Sequence, residues 1–277
     1  MDFRGFIVAA AKDAAPLLRQ RDATTAHAIA GDMLHRAHTI ASQLNAKLDP
    51  HFTSMPVCAE GCSYCCHQAV LATTPEVVAL ADALREGLAP AALAELRARI
   101  EKLARETREL TTLDWHLGKL ACPLLDQKSG TCIAHDARPL NCRAHNSLDV
   151  EQCVAHFEGK NPDAEIKQNT FQVSGMKAAW MGTIAAVRAA GLDAEAYDLT
   201  QALAIALADD TIAERWAAGE SPLAAARIAR TAAYNKSYLP LYREALDAVA
   251  PEAGKRAPLD ADAARRERNR RKKAAKR

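Results

Sequence analysis

The sequence predicts a mostly α-helical fold in which irregular, cysteine-rich loops are embedded in a helical bundle. Alanine and leucine dominate the composition, and aromatic residues make up only 5% of the chain. No stretch outside the cysteine region shows the sustained alternation of apolar and polar residues that is typical of strands. All eight cysteines lie between Cys58 and Cys153, in segments rich in turn residues. We therefore expect helices joined by loops that something other than a hydrophobic core holds in place.

The first half of the chain carries two clear helical patterns. A long amphipathic helix is predicted from 24 to 48, because its apolar residues recur at helical spacing, and Asp49-Pro50 ends it. A helical hairpin is predicted from 74 to 112, starting at Thr74-Pro75 and interrupted at Gly87. The hairpin separates two groups of cysteines.

The remaining chain divides into a loop region, a helical region and a tail. Residues 120–157 show little periodicity and read as loop. Helices are then predicted at 168–190, 194–208, 210–218, 222–233 and 238–249. This pattern suggests a helical domain with the cysteine cluster at 1–160, a C-terminal helical bundle at 161–254 and a basic, disordered tail at 255–277.

The tail concentrates the positive charge of the chain. It holds eleven Lys and Arg residues against three acidic ones, and its last stretch, "RRERNRRKKAAKR", has no apolar side chain larger than alanine. Such a segment cannot dock on a core. The tail either keeps the protein soluble or binds nucleic acid electrostatically, and both interpretations stay open.

The ends and apolar runs of the sequence predict a cytoplasmic protein that is not inserted in a membrane. Lys12 and Asp13 interrupt the apolar run "FIVAAA" before it reaches signal-peptide length, and the longest later run is "ALAIALA" at 202–208. In a reducing compartment, clustered cysteines more often bind metal or perform redox chemistry than form disulfides.

The cysteine spacing itself favours metal ligation over a disulfide knot or a catalytic thiol. In "CAEGCSYCC", thiols two or three residues apart can face one centre, and distant cysteines on a loop can complete a four-ligand site. The adjacent Cys65 and Cys66 cannot comfortably fill two corners of one tetrahedron. If both are ligands, they serve different centres or one of them bridges. The alternative is that one of the two is simply buried.

These residues resemble the zinc- or iron-chelating family with a CxxCxxCC cysteine cluster. The resemblance covers the first cysteine run, "CPLL" at Cys122, the "RP" at Arg138 and "CR" at Cys142. It implies metal ligands at Cys58, Cys62, Cys65, Cys66, Cys122, Cys132 and Cys142, with Cys153 as an extra candidate. It also implies Arg138 and Arg143 as groups around the metal centre, where a guanidinium offsets the negative charge of thiolates.

Three departures from that family pattern concern the residues beside the cysteines. The first spacing has three residues where many members have two. His135 stands where a tyrosine is usual, and His145 and Asn146 replace an aromatic residue and a proline. Both histidines could be additional ligands or neighbours of the metal, or plain exposed loop residues.

Two enzyme classes share part of the cysteine pattern. Cys58, Cys62, Tyr64 and Cys65 match the CxxxCxΦC motif of radical S-adenosylmethionine enzymes, but that superfamily needs repeated strand–helix units, which the sequence lacks. A flagellin lysine N-methylase, an iron–sulfur enzyme, is similar to the chelating family in its cysteine cluster. This similarity implies S-adenosylmethionine-dependent protein modification as one alternative function.

The sequence therefore predicts a metal-binding protein whose cysteines chelate an iron–sulfur cluster or zinc, with a [4Fe–4S] cluster favoured by the adjacent thiols. In one hypothesis the cluster is a redox or catalytic cofactor acting on an unidentified protein or small molecule. In the other, zinc is structural and the module binds a partner, with nucleic acid reached through the tail. Whether the protein is an enzyme is left open, because no nucleotide-binding glycine loop or carboxylate cluster is visible.

Overall fold

A computed structural model describes residues 2–45, 55–160, 165–231, 235 and 242–253, with only the backbone given for 251–253. Within these ranges the chain is mostly α-helical with a few very short strands, which confirms the predicted fold class. The basic tail 255–277 lies outside the described residues. Every described helix is too short or too polar to span a bilayer.

The N-terminal part contains two helices that pack on the rest of the molecule. Helix α1 spans Phe3–Ala14 and is capped by Asp2, whose Oδ1 accepts a hydrogen bond from Gly5 N at 2.8 Å. Helix α2 spans Thr25–Asn45 and buries its apolar face as predicted. The predicted end of this helix, at 46–48, lies outside the described residues.

The predicted helical hairpin is confirmed and is preceded by a strand. Strand β1, Leu71–Thr73, leads directly into α3, Thr74–Gly87, which is followed by α4, Pro90–Thr107. A further short helix, α5, spans Thr112–Leu117.

The cysteine region contains regular structure that its composition does not indicate. Strands β2 (Leu125–Asp126) and β3 (Thr131–Cys132) form a hairpin, and two short helices follow, α6 at Leu140–Ala144 and α7 at Val150–Phe157. Helix α6 fully buries only Leu140 and α7 fully buries no residue. Helices of five and eight residues are too short to repeat an apolar position over several turns, which is why the segment reads as loop.

The C-terminal half holds a long helix and several short elements. These are α8 (Thr170–Ala189), β4 (Ala196–Asp198), α9 (Leu199–Ala206), α10 (Ile212–Ala217) and α11 (Arg243–Ala253). The helix expected at 194–208 thus begins as a strand, because β4 pairs antiparallel with β1 in the register Leu71 to Asp198 and Thr73 to Ala196. In the helix expected at 222–233, a 3-10 helix at Ala224–Ala226 and turns replace the α-helix up to 228, residues 229–231 are helical, and 232–233 lie outside the described residues.

Helix α8 lies at the centre of the packing and contacts α1, α2 and α11. Two glycines let it approach its neighbours closely. A Cβ on Gly175 would lie 2.8 Å from Ala37 O of α2, and one on Gly182 would lie 2.5 Å from Ile7 O of α1. One core cluster contains residues from Phe6 to Val249, so it includes residues from both sides of the predicted domain boundary at 160. The division into two domains stays a prediction.

We expect Gly182→Ala to destabilise the protein by about 1–3 kcal/mol, because the added methyl group meets backbone atoms of α1 that move only if the helices separate. Gly31→Ala on α2 is the matched control. A Cβ there meets nothing within 4 Å, so this change should be neutral or stabilise the protein by about 0.5–1 kcal/mol. Urea unfolding of both variants measures the difference, and equal effects would contradict the close packing of α8.

Candidate metal centre

The first cysteine loop is shaped by a turn and a short 3-10 helix. Cys62 N donates to Ala59 O at 3.0 Å across Gly61, whose φ of 85° favours glycine. The 3-10 helix Tyr64–His67 then carries Cys65 and Cys66, and Cys66 N donates to Ser63 O at 2.9 Å. Strand β1 follows after three residues and anchors this loop to the core.

Backbone contacts join this loop to the later cysteine segments. Cys122 N donates to Cys66 O at 2.7 Å, and Val57 N donates to Ser147 O at 2.8 Å. The turn of the β2–β3 hairpin touches the first loop so closely that a Cβ on Gly130 would lie 2.5 Å from Gly61 O. The cysteine segments thus meet although the helical hairpin α3–α4 separates them in sequence.

One set of thiols, the inner thiol group, consists of Cys65, Cys122, Cys132 and Cys142. Burial raises the pKa of Cys142, and the neighbouring thiols Cys122, Cys132 and Cys65 raise it further. Burial likewise raises the pKa of Cys122 to about 12, with Cys132 adding to the shift. Cys142 therefore lies within electrostatic range of the other three thiols.

A second set, the pocket thiol group, consists of Cys58, Cys62, Cys65 and Cys153. All four line an open cavity of about 520 Å³, its solvent-facing mouth included. Burial raises the pKa of Cys62, and Cys58, Cys65 and Cys153 raise it further. Cys65 therefore belongs to both groups, and the neighbouring Cys66 and then burial raise its pKa.

Backbone N–H groups act on several of these sulfurs. Ser147 N donates to Cys58 Sγ at 3.3 Å. The backbone at Tyr64, Leu124 and Ala134 lowers the pKa of Cys62, Cys122 and Cys132, in that order, against the larger effect of burial. Such donors favour the thiolate form, which is the form that ligates metals.

The two predicted arginines have different positions. The charge of Arg138 lowers the pKa of Cys65, Cys132 and Cys142 against the larger effect of burial and neighbouring thiols, so its guanidinium lies near the inner thiol group. Arg143 instead braces the turn before α6, where its Nε donates to Arg138 O at 2.9 Å and its Nη2 donates to Asp136 O. Burial and the nearby Arg138 lower the pKa of Arg143.

A buried carboxylate that sequence reasoning missed positions α6 and therefore Cys142. Glu76 Oε2 accepts from both Thr73 N and Thr73 Oγ1 at 2.8 Å, and its Oε1 accepts from Leu140 N at 2.8 Å. Burial raises the pKa of Glu76, while these donors act in the opposite direction. The available signal was the spacing of Thr73 and Glu76 ahead of an apolar run, which is that of a capping box.

Four histidines in or near the cysteine segments fall into three environments. His135 is exposed beside Asp136. His145 lines the cavity, where burial and then Lys177 lower its pKa. His116 and His156, which sequence reasoning did not single out, also line it, and their ring centroids are 4.5 Å apart. Asn146, in contrast, has a structural role, since its Oδ1 accepts from Asn169 N at 2.7 Å.

The cysteine thiols suit a thiophilic metal or an iron–sulfur cluster, although they do not yet surround a common point. All eight cysteines are free thiols, and thiolates are ligands for zinc and for iron–sulfur clusters alike. Within 2–45, 55–160, 165–231 and 242–253, however, no three His, Cys, Asp or Glu side chains are arranged so that they could hold a metal ion as they stand. Metal binding would require the thiols to turn toward a common centre.

The raised pKa of Cys122 predicts slow alkylation in the metal-free protein. A pKa of about 12 instead of the usual 9.0 makes the thiolate up to about a thousandfold scarcer at the same pH. We expect iodoacetamide to modify Cys122 at pH 8 much more slowly in the folded protein than in urea, as measured by peptide mass spectrometry after chelation. Equal rates in the two states would contradict the burial of this thiol.

Residues 57–168 match a family model described as "CxxCxxCC: Putative zinc- or iron-chelating domain". The match contains all eight cysteines and confirms the resemblance seen in their spacing. It supports metal binding by this region. No curated protein and no solved structure matches the chain.

Proposed function

Because residues 57–168 carry a zinc- or iron-chelating domain, we propose that this protein holds a [4Fe–4S] cluster on its inner thiols as a redox or catalytic cofactor. The observation that carries the proposal is that Cys65, Cys122 and Cys132, which come from separate segments, all act on the pKa of the buried Cys142. One thiol of the Cys65–Cys66 pair, with Cys122, Cys132 and Cys142, supplies the four ligands that such a cluster needs.

The positive charge of Arg138 supports the assignment of a cluster to the inner thiol group. Four thiolates, with about one negative charge each, around an oxidised four-iron core of charge about +2 leave a net charge near −2. Arg138 offsets part of this charge, because its guanidinium already acts on Cys65, Cys132 and Cys142. The N–H donors stabilise the thiolates further and influence the reduction potential.

Of the two adjacent cysteines, Cys65 lies between the two thiol groups. It lines the cavity, whereas Cys66 is not among the lining residues. Cys65 interacts with Cys142 on one side and with Cys62 on the other. When bound, a cluster at this position would accept and return single electrons.

The proposal is tested by purifying the full chain without oxygen and measuring iron, acid-labile sulfide and the visible spectrum. We expect a brown protein with about four iron and four sulfide per chain. Cys132→Ser should lose both, whereas Ile133→Ala, at the exposed neighbouring residue, should keep both. A colourless wild-type protein whose only metal is stoichiometric zinc contradicts the iron–sulfur proposal.

A further inference from the structure

We infer that a second metal site, suited to Zn²⁺, is formed by Cys62, Cys153, His116 and His156 at the mouth of the cavity. This site is distinct from the inner thiol group and does not depend on a cluster being bound there. It uses two histidines that stand outside the cysteine pattern of the chelating family.

Helix α7 presents two potential ligands on one face. Cys153 and His156 are three residues apart, so their side chains project from the same side of the helix, and both line the cavity. No residue of α7 is fully buried. The helix is positioned by Asp149 at its N-cap and by Phe157, whose ring lies 5.5 Å from Tyr64 and 4.8 Å from His67.

The third potential ligand comes from α5, whose position is well fixed. The neighbouring Trp115 is 1% exposed, and its Nε1 donates to Leu120 O at 2.9 Å. Thr111 and Asp114 cap the helix, with Thr111 N donating to Asp114 Oδ2 at 2.8 Å. His116 is thereby directed toward α7 and not toward the core.

The separation of the two imidazole rings suits a shared metal ion. A zinc ion about 2.0–2.1 Å from a ring nitrogen lies roughly 3.2 Å from the centre of that ring, so two rings at tetrahedral positions have centres roughly 5 Å apart. The rings of His116 and His156 are 4.5 Å apart and inclined at 49°. This separation is close to the expected value, and ligation requires the two rings to turn so that a nitrogen of each faces one point.

Cys62 completes the set, because it lines the same cavity as Cys153, His116 and His156. Two thiolates and two imidazoles form the Cys₂His₂ donor set that is common in structural zinc sites. Iron–sulfur clusters are held mainly by cysteines, so the histidines distinguish this site from the inner thiol group. Since the four side chains do not converge among the described residues as they stand, binding must turn them inward.

The experiment separates ligation from simple ring stacking. The full-length protein, stripped of loosely bound metal by a chelator without oxygen, is titrated with Zn²⁺, and with Co²⁺ as a spectroscopic probe. We expect one zinc equivalent and the strong visible absorption of tetrahedral Co²⁺ with thiolate ligands. His156→Phe keeps an aromatic ring against His116 but removes the donor atom, so it should weaken zinc binding at least tenfold to a hundredfold.

Further variants keep this inference independent of the cluster proposal. His156→Cys should retain the zinc equivalent, because a thiolate replaces the imidazole, and the exposed His135→Ala should bind zinc like wild type. Iron and sulfide, measured on the same samples, should not change in any of these variants, whether or not iron is present in wild type. Wild-type zinc affinity in both His156→Phe and His116→Ala would overturn the inferred site.

Discussion

Replacing Asp198 with alanine is expected to destabilise the protein by about 3–5 kcal/mol, because it leaves a buried guanidinium without its counterion. The side chains of Asp198 and Arg230 are 1% and 5% exposed, and Arg230 Nη2 donates to Asp198 Oδ2 at 2.8 Å. Asp198 also caps α9 by accepting from Gln201 N at 3.1 Å. Urea unfolding, monitored by circular dichroism, measures the loss.

Two controls separate this buried pair from an ordinary ion pair. Glu195 and Arg227 form an ion pair whose side chains are 33% and 46% exposed, so Glu195→Ala should cost at most about 1 kcal/mol. Adding Arg230→Met to Asp198→Ala removes the isolated charge, so the double variant should recover part of the lost stability. Equal losses in the free energy of unfolding for Asp198→Ala and Glu195→Ala would show that burial does not determine how much an ion pair contributes to stability.

The pair also connects the fold to the candidate site. Arg230 Nη1 donates to Thr107 O at 2.8 Å and to Leu110 O at 2.6 Å, at the end of α4, and its guanidinium lies 5.4 Å from the Trp115 ring. Trp115 holds α5, which carries His116. Asp198 lies on β4, which pairs with β1 directly after the first cysteine loop. We therefore expect Asp198→Ala to loosen both walls of the site.

Glu76→Gln is expected to cost about 2–4 kcal/mol, although it changes the size of the side chain very little. The two carboxylate oxygens of Glu76 accept from Thr73 N, Thr73 Oγ1 and Leu140 N. An amide would direct its own N–H groups at these donors and leave buried polar groups unsatisfied. The free energy of unfolding, measured in urea, gives the cost.

Glu86→Gln, at an exposed position of the same helix α3, is the matched control and should change stability by less than about 0.5 kcal/mol. Glu76→Gln should also release α6 and expose Cys142 to alkylation in the metal-free protein. If Cys142 remains as protected as in wild type, Glu76 does not position α6.

The long helices could be predicted from the sequence because each buries a continuous apolar face. Helix α2 and the hairpin α3–α4 are confirmed on this basis. Strands β1 and β4 could not be predicted from the sequence. Strands of three residues are too short to show alternation, and the pairing of these two joins residues far apart in the chain. Local propensity favours helix through 194–208, and the tertiary contact with β1 overrides it at Ala196–Asp198.

The candidate site likewise contains residues that the sequence identifies and residues that only the folded structure reveals. Cysteine spacing identified the thiols, because ligands on one turn lie close in sequence. It did not identify Glu76, which acts on Leu140 across α3 and α4, or His116, which meets His156 only in the folded chain. Nor could it show that the loops meet at Gly61 and Gly130, where the absence of side chains allows backbone contact.

The proposed cluster and the inferred zinc site assign the cysteines to two separate centres, on either side of the Cys65–Cys66 pair. Metal and sulfide analysis of Cys132→Ser and Cys62→Ser, prepared without oxygen in the presence of iron and zinc, tests this assignment most directly. We predict that Cys132→Ser loses iron and sulfide but keeps one zinc, and that Cys62→Ser loses the zinc but keeps iron and sulfide. Loss of the same metals in both variants would show a single centre and contradict the account.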